Sequence, residues 1–364
     1  MKKFIIVLTL FLGLLSAAQA QSIKILIGET QNNVPVKASG PFTVKDLNGG
    51  KKYKLTKGGT FKVSRQGKEI SAGTVKSSEG IEITLKSKDD FFTFKGNTYN
   101  GKLLLLAGSK GVNIIEETDL ESYLCGVLPY EMSYSWPVEA LKAQAVAART
   151  YTLKTLEDKK MKDFDLYSDV RSQMYKGSVK TYDSVKEAVE GTKGEVLKYK
   201  DELFYTYYHA NCGGHTDAMP GAKDPIKPLQ GAKCGYCKES KSAHWSTTLS
   251  KETINSFLKS NGIKGNLKKI KIGAKFKSGR AKTLHIITDK QKVYVGCNDF
   301  RISVGSTRFK SCFITDIDGL SFEGKGYGHG AGMCQDGAKG MALDDKNYKE
   351  ILETFYPSSD LVSI

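Results

Sequence analysis

After its first twenty residues the 364-residue chain has no apolar run long enough for a membrane-spanning helix, so the remainder folds in aqueous surroundings. The residue directly after Ala20 is Gln21 and not cysteine, which excludes a lipid acceptor at that point. Proline is scarce, with eight in all, while 37 glycines recur at the breaks between short apolar stretches, the punctuation of antiparallel sheet. Acidic side chains are in deficit, 39 against 55 Lys and Arg, and removing Lys2 and Lys3 lowers the formal charge from +16 to +14. Outside the cytoplasm a basic protein meets the cell envelope rather than nucleic acid, and a carboxylate-bearing wall polymer fits that charge; the same lysine excess also serves solubility. No strand-to-helix phosphate unit with a supporting lysine surrounds the glycine-rich GYGHGAGMCQDGA, which excludes a nucleotide loop.

The opening MKKFIIVLTLFLGLLSAAQA places two lysines before an apolar run that ends in Ala-Gln-Ala, the pattern of a secretory signal cleaved after Ala20. Residues 21–116 read as a β-rich module of stretches such as SIKILIG, GTFKV, IEITL and KLLLLAG, with turns expected at 48–50 and 57–59. Residues 117–364 read as mixed α and β, so the fold class is α+β in two modules. A long helix is expected through VEALKAQAVAARTYTL, capped by Ser135 or Trp136 with Pro137 in its first turn. Val138, Leu141, Ala145, Ala148 and Thr152 share one face of it, and the alanines imply close approach to another element. Gln144 and Arg149 flank that stripe, as internal braces or as groups facing a cleft. Asp183 is expected to cap a short helix, strands flank Lys200 and Asp201, and Asn347 with Glu350 forms a capping box for a last helix.

The segment DLESYLCGVLPYEMSYSWPVEALKAQAVAARTYTL resembles the signature of the sporulation-protein-D/LytB family along nearly its whole length. SDVRSQMYKG, YYHANCGGHT, FRISVGSTRFKS and GKGYGHGAGMCQDGAKGMA follow in the family's order, covering about Glu117 to the C-terminus. The resemblance implies a lytic transglycosylase acting on peptidoglycan glycan strands, with the family's glutamate landing on Glu131; other relatives stimulate cell-wall amidases, so the alternative is a non-enzymatic wall-binding activator. The chemistry is coherent. A glutamate in an apolar setting stays protonated near neutral pH and gives its proton to a leaving oxygen. A hydrolase would normally need a second carboxylate. The implied reaction does not, because the same glutamate then takes a proton from the muramic acid's own C6 hydroxyl and a 1,6-anhydro ring closes.

Around Glu131 the candidate substrate-binding residues are Arg149, Gln144, Gln173, Tyr175, His329 and Gln335, with Arg149 alternatively pairing with Asp169. His329 lies among the glycines at 326, 328, 330 and 332, in a cleft wall or in a tight turn. No cofactor is required for this reaction. A structural zinc is nevertheless open, since His209-X-X-Cys212 followed by Cys234-X-X-Cys237 supplies four ligands at tetrahedral spacing, with disulfide pairing among the three cysteines as the alternative in an oxidising compartment. Cys297 and Cys312 are placed to bridge, Cys125 and Cys334 to face each other, and Cys334 beside His329 would offer a nucleophile pair.

Overall fold

The protein is described by a computed structural model for residues 21–364 apart from 159, 160 and 179; the expected signal segment, 1–20, lies outside the described residues. A β-rich region comes first and a mixed α+β region follows, as the punctuation of the sequence predicts. In the larger sheet, strand Ser22–Thr30 pairs antiparallel with Gly111–Asp119, with Ser22 opposite Asp119 and Thr30 opposite Val112. Lys102–Gly108, Ile81–Leu85, Phe42–Asp46 and Lys52–Leu55 continue the sheet on one side, and Leu166–Tyr167 adds a short parallel edge on the other. A second sheet is built from residues 34–99 in the order Asn97–Tyr99, Phe92–Phe94, Val34–Ala38, Gly59–Gln66, Glu69–Ala72, Val75–Ser77. The turn expected at 48–50 is present, with Gly49 and Gly50 both at positive φ (93° and 74°), where glycine carries no Cβ penalty.

Seven α-helices are present among the described residues: α1 (Leu120–Glu131), α2 (Val138–Asp158), α3 (Asp183–Glu190), α4 (Lys251–Ser260), α5 (Cys297–Val304), α6 (Gln335–Leu343) and α7 (Tyr348–Phe355). Helix α2 is buried on two sides, which accounts for its alanines. Ala145 and Ala148 enter a first core with Ile23, Ile25, Val36, Phe92, Leu103 and Ile114 of the sheets and with Leu124 and Val127 of α1. Ala143, Val146 and Ala147 enter a second core with Leu197, Met333, Ala338, Leu352 and Phe355. A residue with a single methyl lets both layers approach one backbone. A third core, from Trp245, Phe257, Leu284, Phe300, Phe309 and Phe322, joins α4 and α5 to two three-stranded sheets. The expected Cys297–Cys312 bridge closes there.

Local chemistry sets the ends of these elements. The Asp119 side chain accepts from Ser122 N at 2.9 Å and caps α1. Pro137 directly precedes α2, its carbonyl accepting from Ala140 N and Leu141 N. Lys200 and Asp201, at φ 54° and 63°, make the turn between strands Glu195–Tyr199 and Glu202–Leu203. The capping box of Asn347 and Glu350 is formed at α7. Asp183 does not cap α3: Tyr182 is the extended N-cap residue and Asp183 is the first helical residue, where its charge still complements the dipole.

Candidate functional site

Glu131 is the last residue of α1, and the chain turns extended at Met132 immediately after it. Its half-buried carboxylate accepts one backbone hydrogen bond, from Met174 N at 3.0 Å. Burial raises its pKa above the ordinary carboxylate value, and the Met174 N–H offsets only part of that. Tyr208, Tyr123 and Tyr151 lie within electrostatic reach of the same carboxylate. Outward from it, Lys176 sits 4.9 Å over the exposed Tyr130 ring, and the exposed Tyr134 stacks on Tyr182 at 3.5 Å.

Several expected substrate-binding residues turn inward. Gln173 is buried; its amide donates to Thr152 Oγ1 at 2.7 Å and its carbonyl accepts from Tyr208 Oη at 2.9 Å. It therefore orients Tyr208 beside Glu131. Tyr175 is buried and donates to Glu116 at 2.7 Å. Gln144 and Gln335 are buried and bond to each other at 3.3 Å, and Gln144 Nε2 finds no hydrogen-bond partner among the described residues. Arg149 pairs not with Asp169 but with Glu121, through Nε at 2.9 Å and Nη2 at 2.6 Å, and it also donates to the carbonyls of Glu195 and Val189. Asp169 is held locally by Arg171 at 2.7 Å. The bidentate guanidinium belongs to the packing of α1 against α2 and α3.

His329 is half-buried, and its Nδ1 accepts from Ala331 N at 3.0 Å, so in the neutral ring the proton sits on Nε2, with the Tyr208 carbonyl close by. Burial and the nearby Arg301 and Arg280 charges lower its pKa to about 4, which keeps the ring neutral near pH 7. Its ring is 6.1 Å from Tyr207 and 5.3 Å from His209. Tyr207 stacks on Tyr205 at 5.8 Å, and Tyr151 meets both rings edge-on. These tyrosines form a half-exposed strip from Glu131 toward His329. Tyr205 and Tyr207 also line a groove of about 530 Å³ with Met219, Pro220, Ile226 and Leu229. The strip was readable in the sequence as the alternation Tyr205-Thr206-Tyr207, whose tyrosines share one face of an extended chain.

The cysteines converge differently from the spacing-based expectation. Cys212, Cys234 and Cys237 meet Cys334, with all four sulfurs within 4.8 Å of one another. His209 is not the fourth member: its Nδ1 is bonded to the Ala331 carbonyl at 3.0 Å and its Nε2 is buried without a partner among the described residues. Cys334 accordingly meets the other three sulfurs and not Cys125, which is half-buried, and His329 Nδ1 is engaged by the Ala331 backbone N–H. His215 Nδ1 is bonded to the Thr216 carbonyl and His244 is exposed on strand His244–Thr248, so neither joins the cluster.

A family model described as Stage II sporulation protein matches residues 108–199, and one described as a domain of unknown function matches residues 228–332. The chain is 38% identical to an uncharacterized protein of Brachyspira hyodysenteriae over 278 residues, covering 75% of this chain and 74% of that protein. It is 30% identical to the amidase enhancer of Bacillus subtilis over 294 residues, covering 66% of this chain and 40% of that protein's length. Stage II sporulation protein D of Bacillus amyloliquefaciens is 26% identical over 321 residues, with 82% and 86% covered. No helix among the described residues is long and apolar enough to cross a membrane. With the ordered motifs from Asp119 onward, these matches establish that the chain belongs to the stage II sporulation protein D and amidase enhancer (SpoIID/LytB) family.

Proposed function

We propose that this chain is an exported cell-wall protein that engages peptidoglycan glycan strands and raises the rate of a cell-wall amidase without cutting a bond itself. The observation that carries this reading is the 30% identity to a protein named amidase enhancer. The geometry supports it. The strip of Tyr151, Tyr205 and Tyr207 offers stacking faces for sugar rings, and the basic surplus suits a carboxylate-bearing polymer. Arg149, Gln144, Gln173 and Tyr175, which would otherwise grip a scissile sugar, are committed to internal hydrogen bonds.

A second reading, glycan cleavage with a 1,6-anhydro product, is favoured by one observation: Glu131 is half-buried beside Tyr208, with a raised pKa and a single hydrogen bond. A carboxyl so held retains the proton that a leaving oxygen needs. In this reading the rate falls as pH rises through the raised pKa, because the acid form is lost.

One experiment separates the readings. The chain, or its Glu131→Gln variant, is added to an amidase digesting intact peptidoglycan, and separately to peptide-free glycan strands analysed by mass spectrometry. The expected result is a faster amidase with both proteins and no anhydromuramic ends. An unchanged amidase rate overturns the activator reading, and anhydro ends made by the wild type and lost in Glu131→Gln establish cleavage.

A further inference from the structure

Four buried cysteines lie apart from the Glu131 carboxylate. They come from three separate stretches of chain: Cys212 from the Cys-Gly-Gly turn, Cys234 and Cys237 from a Cys-X-X-Cys loop, and Cys334 from the N-cap of α6. We propose that Cys212, Cys234, Cys237 and Cys334 bind one zinc ion as a tetrathiolate, and that this ion fastens the loop carrying His329 to the strand carrying Tyr208.

The geometry fits a tetrahedral ion. A Zn–S bond of about 2.3 Å places the sulfurs of a tetrahedron about 3.8 Å apart. Cys212 Sγ and Cys237 Sγ are 3.6 Å apart, and no pair in the cluster exceeds 4.8 Å. Two disulfides would draw the sulfurs into separate pairs, whereas here each approaches the other three.

The surroundings are those of thiolates. Backbone N–H groups point at sulfur in three places: Cys212 N and Gly337 N at Cys334 Sγ (3.2 and 3.3 Å), and Gly214 N at Cys212 Sγ (3.4 Å). Gly213 and Gly214 take positive φ values of 73° and 110°, which turns the chain back after Cys212. A Cβ on Gly337 would stand 2.6 Å from Cys234 Sγ, so the first turn of α6 must be bare there. Cys334 also sits at the positive end of the α6 dipole. Four thiolates around a divalent zinc leave two negative charges, each thiol having released its proton on ligation. The buried Arg280, ion-paired with Asp217 at 3.3 Å, donates to the Cys212 carbonyl at 2.6 Å and so holds the backbone of that ligand.

The link to the loop is topological. Tyr208 and His209 pair in parallel with Met333 and Cys334, so a ligand ends the very ladder that holds Tyr208. The glycine loop with His329 enters that ladder directly, and Asn211 and Tyr327 bond reciprocally across it. Among the described residues this short ladder is only two residues long on each side. A metal bond at its end supplies what so small a ladder does not.

The full chain, secreted and purified without chelator, tests this by metal analysis, thiol counting and hydrogen exchange. The expected result is one zinc per chain and, after denaturation in chelator without reductant, five reactive thiols: the four ligands and Cys125. A metal-free protein with one reactive thiol, meaning two further disulfides, overturns the site, as does iron in place of zinc. His209→Gln is expected to retain zinc and Cys334→Ser to lose it; loss in His209→Gln would restore the histidine ligand and overturn this ligand set. On zinc removal, amide exchange over 326–334 is expected to rise by about tenfold or more while that of strand Gly111–Asp119 stays unchanged. Unaltered exchange in the loop overturns the fastening role.

Discussion

Glu116 and Glu131 show how two carboxylates in one region acquire different work from their surroundings. Glu116 is fully buried on strand Gly111–Asp119, accepting from Tyr175 Oη at 2.7 Å and from Gly101 N at 2.9 Å. Burial raises its pKa to about 7, and hydrogen bonds from Tyr175 and from the Gly101 and Asn100 backbone offset only part of the effect. Its proton is held more tightly in the folded than in the unfolded chain, so its contribution to stability is complete below the unfolded pKa and is lost as pH rises through the folded one. Unfolding free energy is therefore expected to fall by roughly 3 kcal/mol between about pH 4.5 and just above 7 on account of this residue. Denaturant melts over that pH range check it. Glu116→Gln, which keeps the shape and removes the titration, is expected to flatten most of the slope. Glu131 shifts in the same direction, also through burial, but it is only half-buried and accepts its hydrogen bond from the Met174 backbone.

At the scale of elements, the Glu131 environment depends on how closely α1 meets the stretch from Gln173 to Gly177. Gly126, in the middle of α1, makes that approach: a Cβ there would strike the Tyr175 ring and stand 2.8 Å from the Gly177 carbonyl oxygen. Gly126→Ala is thus expected to destabilise the fold by about 1–3 kcal/mol, although alanine is the better helix former. It should also push away the backbone that gives Met174 N to Glu131. Chemical denaturation checks the first effect, and the Met174 amide chemical shift, which should lose its dependence on the Glu131 carboxylate, checks the second. The α2 stripe carries a related lesson. Alanine spacing predicts a tight contact, and the helix has two such contacts, one for each core it separates.

For the whole molecule, a division into residues 21–116 and 117–364 is a proposal about organisation that the first core qualifies. Leu120, Tyr123, Leu124 and Val127 of α1 share that core with Ile23, Ile25 and Ile114, and Leu166–Tyr167 pairs with Ser22–Thr30. Residues 117–364 expressed alone are expected to lose cooperative unfolding and to bind a hydrophobic dye, because that α1 face would meet water. A sharp calorimetric transition for the fragment would refute this. Sequence by itself determined the β-rich to α+β order, the α7 capping box and the family, since each rests on local pattern or on motifs in fixed order, whereas it offered the Cys297–Cys312 bridge only as one pairing among several. Only the tertiary structure decided that Arg149 belongs to Glu121, that Gln173 serves Tyr208, and that Cys334 rather than His209 completes the sulfur cluster. Those partners lie 28, 35 and at least 97 residues apart in the chain, and chain spacing carries no information about which distant groups burial will force to satisfy one another.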